Sequence, residues 1–118
     1  MEKIFSEQAY DQMIEKLFVR FPSFQKTGAG AYKPGIGNME FFDQLSGHPH
    51  RQYRIIHVAG TNGKGSVSNM LASVFSAGGL RVGLYTSPHI LDFRERIRMV
   101  QDDMCALVSK EYVWDYIN

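Results

Sequence analysis

The chain has 118 residues, with 13 Lys and Arg against 12 Asp and Glu and a formal net charge of +1. That length makes it one domain or part of one. So balanced a charge excludes the broad cationic footprint of a general nucleic-acid or membrane-surface binder. The single cysteine, Cys105, excludes an internal disulfide framework and suits a reducing compartment. The opening Met1-Glu2-Lys3-Ile4-Phe5-Ser6 has no apolar signal region, and no apolar run approaches spanning length. A soluble, cytoplasmic protein with no nucleic-acid or membrane partner is therefore expected.

In chain order, the spacing of Tyr10, Met13, Ile14, Leu17, Phe18 and Phe21 predicts a helix over 6–20, with Ser6 as N-cap and Pro22 as its stop. Residues 26–37 hold four glycines and a proline and predict a loop. Asn38 is expected to cap a short helix reaching about Leu45. His48, Pro49, His50 and Arg51 read as a connector, the two histidines having no cluster of Cys, His or carboxylate to make a metal site.

Tyr53–Val58 reads as a first strand, with His57 alternating among apolar residues as an ordinary core side chain. Val67, Met70, Leu71, Val74 and Phe75 trace one face of a following helix, and Gly78-Gly79 signals its end. Arg81–Thr86 reads as a second strand. The strand–turn–helix–strand order predicts parallel strands joined by a right-handed crossover. Arg96–Val100 is a candidate third strand, and Ser109 a cap for a last helix over Lys110–Ile117. Tyr112, Trp114 and Tyr116 on that helix are expected to pack against polypeptide outside these residues. The expected fold class is α/β, a P-loop-type parallel sheet flanked by helices.

The richest stretch is Ile55-Ile-His-Val-Ala-Gly-Thr-Asn-Gly-Lys-Gly-Ser66. A β-branched run leads into a glycine-rich turn with one lysine, and a helical pattern begins at once. Glycines let the backbone approach an anion and aim several N–H groups at it. The helix start adds its dipole and its unpaired first-turn donors, and Lys64 supplies a mobile point charge. Gly60, Thr61, Asn62, Gly63, Lys64, Gly65 and Ser66 are therefore candidate triphosphate-binding residues, with ATP the expected nucleotide. The register departs from the usual phosphate loop: only Thr61 and Asn62 separate Gly60 from Gly63, and Gly65 stands where a magnesium-binding hydroxyl is normally found. A metal ligand must then come from elsewhere. In a parallel sheet, ligands gather beyond the carboxyl ends of the strands. Ser87, at that end of the second strand, carries a hard oxygen of the kind Mg²⁺ accepts, although on the residues alone a hydrogen-bonding Ser-Pro turn is the stronger reading.

Ala59-Gly-Thr-Asn-Gly-Lys-Gly-Ser66, followed by Leu84-Tyr-Thr-Ser-Pro-His89 and Phe93-Arg-Glu-Arg-Ile97, resembles the bifunctional folylpolyglutamate synthase/dihydrofolate synthase family of the Mur ligase superfamily. The resemblance implies the N-terminal part of a Mur-ligase-like ATPase domain, with 1–52 a helical and substrate-loop segment and 53–118 the start of the ATP-binding domain. The rest of that domain and a C-terminal domain would lie outside this chain. It also implies ATP as substrate, Mg²⁺ held in part by Ser87, Lys64 as the catalytic cation, and L-glutamate with dihydropteroate or folate as small-molecule partners. Further magnesium ligands in that family, a glutamate and a histidine, have no counterpart in this sequence. Tyr32, Lys33 and Pro34 match the family's dihydropteroate loop. Arg96, within Glu-Arg-Ile, matches a substrate contact.

His89 is placed to stack on a flat ligand, though an ordinary loop histidine is an equal reading. Arg94 and Arg98 alternate with Arg96 as a solvated strand face would. The implied activity is ATP-dependent ligation of glutamate through an acyl phosphate. A different Mur-type amino-acid ligase and a non-catalytic nucleotide-binding fragment are the alternatives.

Overall fold

A computed structural model describes residues 4–20 and 35–118. Pro22, most of the glycine-rich loop, and the candidate substrate residues Tyr32, Lys33 and Pro34 lie outside the described residues. The helices are α1 (Glu7–Arg20), α2 (Gly37–Leu45), α3 (Lys64–Ala77) and α4 (Lys110–Ile117); the strands are β1 (Val82–Tyr85), β2 (Ile97–Gln101) and β3 (Met104–Leu107). Short 3-10 turns occupy Pro49–Arg51 and Phe93–Arg96. The chain divides into two compact units, residues 1–17 with 58–118, and residues 18–57.

In the first unit, α1 starts where its sequence says. The Ser6 hydroxyl accepts a hydrogen bond from the Ala9 amide at 3.1 Å, satisfying one donor of the first turn. Its buried Tyr10 packs with Val113 and Trp114 of α4, and Phe5, Met13 and Ile14 close the cluster. Ser109 caps α4 by accepting from the Tyr112 amide at 3.0 Å. Lys110, in the first turn of α4, ion-pairs with Glu7 and lies 5.2 Å from the Tyr10 ring centroid. Trp114 is thus a core residue of this chain, not a side chain awaiting other polypeptide. Tyr112 and Tyr116 do remain exposed, stacked on each other.

The sheet differs from the parallel arrangement expected. β1, β2 and β3 form an antiparallel meander, with Val82 opposite Val100, Leu84 opposite Arg98, and Val100 opposite Cys105. No parallel pair occurs among the described residues. β3 was not foreseen; the hairpin that creates it turns on Asp102 and Asp103, both left-handed at φ 51° and 60°. Two positive-φ residues are what a two-residue hairpin loop needs, and Asp tolerates that region better than most side chains. Residues 53–58, read as the first strand, form none. A strand is defined by a neighbour that takes up its N–H and C=O groups, and the β-branched Ile55 and Ile56 stay exposed.

α3 covers one face of the meander, where Ala72 packs with Leu84 and Val100, and Val82 lies against them. Of the face its large residues trace, Leu71 and Phe75 are half-buried while Val67, Met70 and Val74 are exposed; the buried positions are Ala72 and Ser76, four apart. Small residues at the contact let the helix axis come close to the Leu84 and Val100 side chains. The helix ends in a Schellman arrangement: Leu80 N–H reaches the Phe75 carbonyl at 3.0 Å, and Gly79 takes φ +84°.

In the second unit, α2 begins at Gly37 with Ile36 as N-cap, so Asn38 lies inside the first turn and caps nothing. Beyond its end, Asp43 accepts from both histidines of the connector, His48 at 2.6 Å and His50 at 2.7 Å. These bonds hold the Asp43 carboxyl below its usual range, the His48 contact contributing most. Asp43, one turn back on α2, was not foreseen as the group that gathers the two histidines.

Candidate phosphate-binding site and acceptor loop

The glycine-rich turn delivers the chain into α3 in a conformation other residues resist. Gly60 adopts φ +157° and Gly63, the N-cap of α3, adopts φ +76°. No side chain caps this helix, and its first intrahelical bond is Val67 N–H to the Gly63 carbonyl at 2.9 Å. The amides of Lys64, Gly65 and Ser66 precede that bond, so they are first-turn donors of the kind that bind anions. Gly60 through Ser66 are all exposed.

Lys64 is the first residue of α3, and its side chain folds back over the loop. Its Nζ donates to the Gly60 carbonyl at 2.6 Å and to the Thr61 carbonyl at 3.3 Å. The ammonium is thereby held against the carbonyls of the turn. Farther along α3, Ser68, Asn69 and Ser73 bond back to the carbonyls of Lys64, Gly65 and Asn69. Their polar groups are consumed within the helix rather than offered to the loop.

Past β1 the chain makes a closed excursion. Thr86 N–H donates to the Arg96 carbonyl at 3.1 Å, joining its two ends. Ser87 lies just inside this neck and is exposed. His89 Nδ1 accepts from Arg96 Nε at 2.8 Å, which puts the proton of the neutral ring on Nε2. Phe93 supports both groups, its ring 6.0 Å from the His89 ring and 5.9 Å from the Arg96 guanidinium carbon. His89 and Arg96, proposed separately from sequence, are thus brought together.

The three arginines do not share a strand face. Arg94 and Arg96 lie on the 3-10 turn and only Arg98 lies on β2. Arg94 is taken by Asp92, its Nη2 2.8 Å from Oδ2. This charge-assisted bond raises the Arg94 pKa and lowers that of Asp92. Arg98 donates to the Thr86 hydroxyl at 3.2 Å, while its buried Nε has no protein partner.

Sequence reasoning missed Asp92 and Glu95, which build the excursion. Asp92 caps the 3-10 turn and Glu95 returns a bond to the Asp92 amide, a complete capping box. The pattern Asp92-Phe-Arg-Glu95 is the signal that reveals it. Among the described residues, no group of three or more His, Cys, Asp or Glu side chains is arranged to hold a metal ion.

These features define an α/β chain whose central helix opens, uncapped, from a glycine-rich turn carrying a lysine. No protein-family profile matches it. It is 63% identical over 65 residues to a folylpolyglutamate synthase of Lacticaseibacillus casei, covering 53% of this chain and 15% of that protein. It is 38% identical over 115 residues to a folylpolyglutamate synthase of Arabidopsis thaliana, covering 91% of this chain and 18% of that one. A crystal structure of folylpolyglutamate synthase from Thermotoga maritima superposes with a TM-score of 0.73 at 34% identity, covering 93% of this chain and 23% of the other. The chain is related to the folylpolyglutamate synthases and spans between 15% and 18% of the length of these two curated relatives.

Proposed function

We propose that this chain is the nucleotide- and acceptor-binding segment of an ATP-dependent ligase that adds L-glutamate to dihydropteroate, to folylpolyglutamates, or to both. The observation that carries the reading is Lys64, standing at the first position of α3 with its ammonium held against the glycine-rich turn. Its kinship with folylpolyglutamate synthases supports the choice of substrates. Residues 53–118 form the nucleotide-binding part in this proposal, and residues 1–52, including Tyr32, Lys33 and Pro34, the substrate-loop part.

The γ- and β-phosphates of ATP sit at the amides of Gly63 through Ser66. Lys64 exchanges its bonds to the loop carbonyls for phosphate oxygens. A carboxylate oxygen of the acceptor attacks the γ-phosphorus and ADP departs. The amine of glutamate then attacks the acyl carbon, phosphate leaves, and loss of the amine proton completes the amide. Catalysis of this kind is mainly positioning and charge neutralisation. His89 offers its Nε2–H, and the Arg96 guanidinium a positive charge, to the acceptor.

Ser87 suits Mg²⁺ as one hard hydroxyl oxygen on an exposed turn. A cation that keeps most of its waters and takes its other ligands from phosphate needs no protein cage. When bound there, it would supply charge neutralisation to the reacting phosphate. Ser87→Ala is expected to raise the Mg²⁺ concentration that supports ATP binding; an unchanged titration would contradict the role. Glutamate-dependent ADP release in a ligase carrying these residues tests the full reaction. Lys64→Ala should abolish it, and near-normal turnover would sink the assignment. A narrower reading, nucleotide binding without turnover, fits the 118 residues taken alone, because they span only 15% and 18% of the length of the two curated relatives.

A further inference from the structure

Residues 86–92 form neither helix nor strand, and two of their largest side chains anchor nothing: Ile90 is 87% exposed and Leu91 is 91% exposed. The neck of this stretch is closed by Thr86 N–H on the Arg96 carbonyl, and its tip, Ile90–Asp92, is held by one carboxylate. Glu95 accepts the Ile90 amide on Oε2 at 2.9 Å, and the Leu91 and Asp92 amides on Oε1, each at 2.8 Å. The three bonds hold the Glu95 carboxyl below its ordinary range, the Ile90 amide contributing most, so the acceptor is a full negative charge. The main chain of Glu95 joins in, its carbonyl accepting from the Thr86 hydroxyl at 3.4 Å. Ser87 and His89 stand on the segment thus held, and Arg96, the partner of His89, is the next residue along from Glu95.

We propose that Glu95 is the positioning residue of this site: its carboxylate, through the backbone of Ile90–Asp92, sets where the Ser87 hydroxyl and the His89 imidazole stand. The role of Glu95 rests on the reading of Ser87 and His89 as metal- and acceptor-facing groups. Glu95 touches neither nucleotide nor acceptor; it acts through the loop. An exposed apolar tip gains no burial energy from its own conformation, so the Ile90–Asp92 tip depends on the three N–H donors keeping their acceptor. Glu95→Ala removes all three bonds at once. Glu95→Gln keeps one oxygen but turns an NH₂ toward backbone donors, so it restores only part.

The test uses the whole chain and three readouts, with circular dichroism checking that each variant folds. Hydrogen exchange at the Ile90, Leu91 and Asp92 amides should quicken at least about tenfold in Glu95→Ala. The ring-nitrogen NMR signals of His89 should lose the signature of an Nδ1 acceptor. The Mg²⁺ concentration giving half-maximal ATP binding should rise about tenfold, the range seen when an outer-shell partner of a ligand is lost. Glu95→Gln should fall between wild type and Glu95→Ala in each.

Unchanged exchange and an unchanged His89 signal would overturn the proposal. Quickened exchange with an unaltered Mg²⁺ requirement would also overturn it, leaving Glu95 a loop-former only. Should Glu95→Ala fail to fold, Glu95→Gln decides by the same readouts. If the wild-type chain binds no ATP, the nucleotide reading fails on its own. The exchange and His89 measurements would then still decide whether Glu95 sets the loop.

Discussion

Lys64 donating to the Gly60 carbonyl is a contact an arriving phosphate would have to replace. The ammonium–carbonyl bond has one ionised partner, whereas a bond to phosphate has two of opposite sign and adds their Coulomb attraction. Gly63 is the residue that makes the turn, and its φ of +76° is strained for any L side chain even though a Cβ there would meet no atom within 4 Å. Gly63→Ala is expected to cost about 1 kcal/mol of stability, read as a lowered urea midpoint. Glu95 gives a pH dependence with a definite sign. Its folded pKa is depressed, so its contribution is complete above the ordinary carboxyl value and is lost as pH falls through the depressed one. Amide exchange at Ile90–Asp92, corrected for intrinsic rates, should therefore be protected at neutral pH and lose protection only in acid. Constant protection throughout would mean that another group holds the loop.

At the scale of elements, two packing contacts hold the first unit. α3 meets the sheet through Ala72, Leu84 and Val100, and α1 meets α4 through Tyr10, Val113 and Trp114. Leu84→Ala is expected to destabilise by about 2–3 kcal/mol and Trp114→Ala by about 3 kcal/mol, both measured by denaturant unfolding. Leu84→Met should cost less than about 1.5 kcal/mol, since volume is conserved.

These same elements show what was legible beforehand. Local chemistry could be read: the Ser6 and Ser109 caps, the Gly78-Gly79 stop, and the helix opening at Lys64 all depend on residues within a turn of each other. Pairing could not, because the partner of a strand is not written in its own residues. The β-branched run at 53–58 found no ladder, while Met104–Leu107, unremarkable as sequence, became β3 once Asp102 and Asp103 turned the chain. The face of α3 was legible only in part: Leu71 and Phe75 are half-buried, but Val67, Met70 and Val74 are exposed, and close approach to the sheet favours the small Ala72 and Ser76. In the excursion between Thr86 and Arg96, His89 and Arg96 were singled out one by one. Their bond to each other, and the carboxylate of Glu95 behind them, required the fold of the excursion.

At the scale of the molecule, the chain corresponds to a small part of the proteins it resembles, 15% of the Lacticaseibacillus casei relative. It also displays apolar side chains that a self-contained domain would cover, among them Ile55, Ile56, Val67, Met70 and Val74. The taken-alone chain is accordingly expected to unfold at modest temperature with low cooperativity; a sharp transition at high temperature would contradict that. No helix among the described residues is long and apolar enough to cross a membrane.

The glycine-rich turn and Lys64 together make the proposed phosphate site. A calorimetric titration of ATP with magnesium into the wild-type chain and into Lys64→Ala tests this most directly. Saturable one-to-one binding, weakened about tenfold or more by the substitution, is the predicted result, since a charged hydrogen bond contributes roughly 1.5–3 kcal/mol. No binding to the folded wild-type chain, or equal affinity in both proteins, would contradict it.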